Sequence, residues 1–88
     1  MKKRTIKVLL ADDHPVVRAG LRAFLEDQPL VELVGEAVDG EEVVQMTAKL
    51  NPDIVLLDVN LPRKSGVDAA GRIRQVAPRT RIVILTVH

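Results

Sequence analysis

The sequence predicts an α/β fold: an open, doubly wound parallel sheet with helices against it. Three observations carry that reading. Short apolar runs rich in Val and Ile recur along the chain, segments with helical spacing lie between them, and Pro, Gly and Asp mark most changes of texture. Runs without polar alternation suit strands buried on both faces. Strands separated by helices imply parallel βαβ units with right-handed crossovers.

The first run, Ile6–Ala11, reads as a strand. Val17, Leu21, Phe24 and Leu25 then recur at helical spacing, with Pro15 suited to the first turn and Pro29 closing the segment. A weaker apolar run at Leu30–Val34 gives a second strand. Asp39-Gly40-Glu41-Glu42 reads as a capping box, Asp at the cap and Glu three residues on. It opens a helix with the stripe Val43, Val44, Thr47 and Leu50, which Asn51-Pro52 stops. Ile54–Leu57 is the third strand. Val67, Ala70, Ile73 and Val76 form a third helical stripe ended by Pro78, and Ile82–Leu85 is the fourth strand.

The 88 residues allow one small domain, and neither a low-complexity stretch nor a Gly/Ser linker divides it. The absence of cysteine rules out disulfides, thiol chemistry and Cys-based zinc sites. One Phe, with neither Tyr nor Trp, leaves no base-stacking platform for single-stranded nucleic acid. A formal net charge of +1 argues against a dedicated nucleic-acid surface. The apolar runs fall far short of a membrane span. Met1-Lys2-Lys3-Arg4 opens like a signal peptide, but Ala11-Asp12-Asp13-His14-Pro15 interrupts the apolar stretch such a peptide needs. The expectation is a soluble, cytoplasmic domain with no membrane partner.

In open parallel sheets, ligands sit beyond the carboxyl ends of the strands. The first strand ends in Asp12-Asp13, the third in Asp58 and the fourth in Thr86. Neighbouring carboxylates repel, and a partly desolvated cluster of three needs a compensating cation. Oxygen ligands suit a hard ion, so Mg²⁺, or else Mn²⁺, is the expected cofactor. Beside such an ion a carboxylate can act as nucleophile and form an aspartyl phosphate, with the Thr86 hydroxyl donating to a phosphoryl oxygen.

Simpler readings compete with this one. Asp12 or Asp13 could merely cap the helix at Pro15. Asp58 has no such role at hand, because Pro62 disfavours an immediate helix start. Three aspartates at matching strand ends favour a site. His14 and His88 are read as single histidines without a metal or catalytic role. Lys64 and the arginines at 72, 74, 79 and 81 are read as solvated. Gly35, Gly40, Gly66 and Gly71 fit no phosphate-loop or dinucleotide pattern.

Val8-Leu9-Leu10-Ala11-Asp12-Asp13-His14-Pro15, Asp58-Val59-Asn60-Leu61-Pro62 with Gly66 beyond it, and Ile84-Leu85-Thr86 occur in this order. Together they resemble the receiver domains of bacterial two-component response regulators, in the form common in the NarL/FixJ group with its LuxR-type output. The resemblance implies a flavodoxin-like receiver fold and a phosphoacceptor switch that takes a phosphoryl group from a sensor histidine kinase onto Asp58. It implies no enzyme beyond self-catalysed phosphotransfer and autodephosphorylation. Asp13, Asp58 and the backbone carbonyl of Asn60 would ligate Mg²⁺, and Asp12 would act through a bound water. Thr86 would hydrogen-bond the phosphoryl group and report it by moving inward. Asn60 and His88 would tune how long the phosphate survives. DNA would be reached only through an attached output domain outside these residues, and transcription regulated that way.

Receivers also have a fifth strand, carrying a lysine that pairs with the phosphate, and two further helices. Their first and fifth helices cover one sheet face, and the second, third and fourth cover the other. No residue here matches that lysine, so residues 1–88 are expected to form a receiver incomplete at its C-terminal side. A missing charge-assisted hydrogen bond of this kind is worth about 1.5–3 kcal/mol. Arg81–Val87 is β-rich, apolar and nearly uncharged. The expectation is either that these residues belong to a longer chain or that this segment makes a homodimer or an edge-paired or swapped oligomer. Two other functions fit the residues: a phosphorylation-independent dimerisation module, and a small Mg²⁺-dependent phosphohydrolase. The second usually carries Asp-x-Asp on its first strand, whereas Asp12 and Asp13 are adjacent.

Overall fold

In a computed structural model, residues 4–85 of the chain are described. The expectations for Thr86 and His88 lie outside the described residues. Strands β1 (Ile6–Ala11), β2 (Val31–Ala37), β3 (Ile54–Asp58) and β4 (Arg81–Leu85) alternate with helices α1 (Pro15–Glu26), α2 (Gly40–Leu50) and α3 (Gly66–Val76). The strands form one parallel sheet in the order β2-β1-β3-β4. Both predictions, the alternation and the parallel sheet, hold in the structure.

The strand boundaries differ from the sequence reading chiefly at β2, which runs on to Ala37 through Gly35 and Glu36. Hydrogen bonding to β1 imposes this extension on a segment whose own composition is weak for a strand. The pairing slips once, as Val8 faces Leu33 but Leu9 faces Gly35.

Leu9, Ala11, Ala37, Val55 and Leu57 share one sheet face and pack against Val43 and Val44 of α2 and Ala69 and Ile73 of α3. Val8 and Leu10 alternate with Leu9 and Ala11 and are buried outside that cluster, on the opposite face. Helix α1 belongs to that opposite face. Its Leu25 is buried, and Arg22 grips Glu36 of β2 through Nε at 2.7 Å and Nη2 at 3.0 Å. The sheet is therefore doubly wound.

Local chemistry explains most helix ends. Asp39 accepts from the Glu42 N–H at 2.8 Å, and the Glu42 carboxylate accepts from the Val38 N–H at 2.8 Å, one residue before the capping-box partner expected. Asn51 closes α2 in the left-handed region (φ 51°), ahead of Pro52. Ser65 caps α3 by accepting from the Asp68 N–H at 3.2 Å.

Two helical stripes need correction. In α3 the buried side chains are Ala69 and Ile73, whereas Val67 and Val76 are exposed. The helix begins at Gly66 and turns its small residues toward α2, so the contact face is narrower than the valines suggest. In α1, Phe24 lies exposed and Leu25 is the buried residue.

Candidate functional site

Because β2 and β3 lie on opposite sides of β1, the chain reverses direction across the sheet at the β1–β3 boundary. That is the switch point where a crevice opens beyond the strand ends. Ala11 pairs with Leu57, so Asp12 and Asp58 emerge side by side from neighbouring strands. Both are sealed from solvent, while Asp13 is half-buried.

Asp12 does not cap α1. The helix starts after His14, which has no side-chain cap, and Asp12 Oδ1 accepts from the His14 backbone N–H at 2.7 Å. The Asp12 carbonyl is held by Arg18 Nη1 at 3.0 Å. Asp58 Oδ1 accepts from the Asn60 N–H at 3.0 Å, which orients the carboxylate. The following loop folds under α3 through a Gly66 N–H bond to the Val59 carbonyl at 3.0 Å. A Cβ on Gly66 would sit 2.6 Å from Val59 Cα and 2.7 Å from the Asp58 carbonyl oxygen. Glycine there lets α3 begin directly against the acidic strand end. Arg63 turns the loop in the left-handed region at φ 69°, and its Nε lies 3.4 Å from Asp39.

The structure thus brings Asp12, Asp13 and Asp58 together and keeps Asn60 beside them by its backbone. It also brings in a residue read from sequence as a bystander. His14 Nδ1 lies 3.1 Å from Asp12 Oδ1 and 3.3 Å from both Asp13 Oδ1 and Asp58 Oδ2. Its hydrogen bond to Asp12, reinforced by the charges of Asp13, Asp12 and Asp58, raises the imidazole pKa above 6.5 against the opposing effect of burial. The only sequence signal for this was adjacency to Asp12-Asp13. Lys64 is half-buried, in a shallow hollow between α2 and α3 whose lining shares no residue with the carboxylates.

One Nδ1–H can satisfy a single oxygen. Asp12 Oδ2, Asp13 Oδ1 and Asp58 Oδ2 remain buried without a hydrogen-bond partner, an arrangement that costs free energy unless something compensates it. One ligand atom from each of Asp12, Asp13, His14 and Asp58 can be chosen so that all lie within 4.8 Å of one another. Orphaned carboxylate oxygens at this spacing fit a hard divalent cation.

A family model of the response regulator receiver domain matches residues 8–88. The chain belongs to that family. It is 44% identical over 81 residues to the transcriptional regulatory protein LiaR of Bacillus subtilis (strain 168), covering 92% of this chain and 38% of the relative. It is 36% identical over 80 residues to the nitrate/nitrite response regulator protein NarL of Escherichia coli (strain K12), covering 91% of this chain and 37% of that protein. The crystal structure of a LuxR-family two-component response regulator from Aurantimonas sp. SI85-9A1 superposes with a TM-score of 0.88 at 40% identity, covering 96% of this chain and 60% of the other.

The match confirms the receiver fold and the resemblance to NarL- and LuxR-type regulators. The chain spans under two fifths of the length of these two curated relatives, 38% and 37%. Receiver domains of transcriptional response regulators are signalling switches rather than enzymes, and their family binds Mg²⁺ at an acidic pocket. Among the described residues, no helix is long and apolar enough to cross a membrane.

Proposed function

We propose that this receiver accepts a phosphoryl group from a histidine kinase onto Asp58, with Mg²⁺, and that the resulting change governs an attached DNA-binding output domain in the cytoplasm. The observation that carries the reading is the buried Asp58 carboxylate, with Oδ1 fixed by the Asn60 N–H and Oδ2 left without a hydrogen-bond partner. A carboxylate oxygen held this way is an oriented nucleophile. It attacks phosphorus, the bond to the donor's leaving group breaks, and Asp58 becomes an acyl phosphate.

Asp13, Asp58 and the Asn60 carbonyl are the residues proposed to hold Mg²⁺ directly, with Asp12 acting through a water. The ion, when bound, supplies positive charge to the phosphoryl oxygens. The chain's own contribution is orientation: Asn60 fixes Asp58, and Gly66 packs the loop against it. Thr86 is proposed as the phosphoryl hydrogen-bond donor. A further part of the reading concerns β4, which among the described residues pairs only with β3 and exposes Val83 and Ile84. We propose it as the edge through which copies of this chain associate.

Acetyl phosphate with Mg²⁺ is expected to add one phosphoryl group, read by intact mass. Asp58→Asn should abolish the gain. Equal labelling of that variant would reject Asp58 as the acceptor.

A further inference from the structure

We propose that His14 is a fourth ligand at the carboxylate cluster, making it a binding site for a borderline transition ion of the Ni²⁺ or Zn²⁺ class. The inference rests on the metal-site reading above and adds a ligand and a metal class to it.

The spacing is that of a ligand shell. Donor atoms each about 2.0–2.2 Å from one ion lie about 3–3.5 Å from their neighbours. His14 Nδ1 stands 3.1, 3.3 and 3.3 Å from one oxygen of Asp12, Asp13 and Asp58 respectively. A second, independent feature points to a ligand. Asp12 and Asp58 are fully enclosed, yet Asp12 Oδ2 and Asp58 Oδ2 have no hydrogen-bond partner. A single N–H cannot satisfy three carboxylates, whereas one divalent ion can meet all of them at once.

The imidazole is also held in place. Its backbone N–H is bound to Asp12 Oδ1 at 2.7 Å, and the following Pro15 keeps His14 extended at φ −91° and ψ 109°. Its side chain is 53% exposed, so an ion can enter from solvent on that side. Carboxylate oxygens suit Mg²⁺, but an imidazole nitrogen favours Ni²⁺, Cu²⁺ and Zn²⁺. The same cluster then offers two ligand sets, with the oxygen donors serving the hard ion and the nitrogen added for the softer one.

Calorimetric titration of the chain with Ni²⁺, Zn²⁺ and Mg²⁺, repeated on His14→Ala and His14→Asn, tests the assignment. The Asn variant keeps a short polar side chain at the N-cap position of α1, and circular dichroism checks both folds. Loss of the imidazole should weaken Ni²⁺ and Zn²⁺ binding by at least about tenfold and Mg²⁺ binding by much less. Nitrogen NMR with Zn²⁺ should move the His14 Nδ1 signal, and His88→Ala should retain the tight site. Equal losses for all three ions, or none for Ni²⁺ and Zn²⁺, would overturn the proposal. Tighter Mg²⁺ binding by the variants would overturn it too, showing that the ring competes with the ion. Failure of the unaltered chain to bind Mg²⁺ while Ni²⁺ binding still depended on His14 would support the fourth ligand and remove the Mg²⁺ reading alone.

Discussion

Asp58 ends an otherwise apolar strand, between Leu57 and the loop that returns to Gly66. Its two oxygens are treated differently by the fold: the Asn60 N–H holds one, and the other has no hydrogen-bond partner. The aspartates were legible in sequence because each ends an apolar run, where a charge has no packing role. His14 was not legible, since nothing in a linear pattern says that a ring beside Asp13 will reach Asp58 across a strand boundary. Its raised pKa has a definite consequence for the metal-free protein. Protonated His14 is better paired in the fold than in the unfolded chain, so its stabilising effect is complete below pH 6.5. That effect is lost as pH rises through the raised value. Proton NMR titration should place the His14 midpoint above 6.5, and Asp12→Asn should move it back toward that value. An unmoved midpoint would show that the Asp12 hydrogen bond is not the main cause.

Among the elements, α3 shows how a helix can be predicted correctly and its face wrongly. The stripe of Val67, Ala70, Ile73 and Val76 gave the helix its period, yet Ala69 and Ile73 are the buried residues. Glycine at 66 lets the helix begin against the backbone of Asp58 and Val59, and Ala69 is buried in the core cluster with Ile73. Ile73 is fully buried against Val43, Leu57 and their neighbours in one cluster. Ile73→Ala should therefore destabilise the domain by about 2–5 kcal/mol, seen as a lower urea midpoint with unchanged slope. Val67→Ala, on the same helix but exposed, should change stability little. Equal effects would mean that the buried face has been assigned incorrectly. Helix α2 behaved as its sequence suggested, because its cap and its stop are both local chemistry.

At the scale of the whole sheet, the strand order places the acidic cluster and bears on the proposed association. The order β2-β1-β3-β4 puts β1 and β3 together and creates the crevice that holds the acidic cluster. It also leaves β4 as an outer strand, paired only with β3 among the described residues and exposing Val83 and Ile84. An apolar strand edge of this kind invites pairing with another copy. Size-exclusion chromatography with light scattering should show association that rises with concentration and falls on Val83→Lys combined with Ile84→Lys. A concentration-independent monomer would rule it out. By itself the sequence determined the alternation of strands and helices, the Asp39 cap and Asn51-Pro52 stop of α2, and the aspartates at strand ends. These are set by periodicity, burial and hydrogen bonds between residues close in the chain. Only the tertiary structure decided which strands are neighbours, how far β2 extends, which face α3 buries and that His14 joins the three carboxylates. Those depend on pairings between distant segments, whose register and crossover direction bring groups together that no local pattern connects.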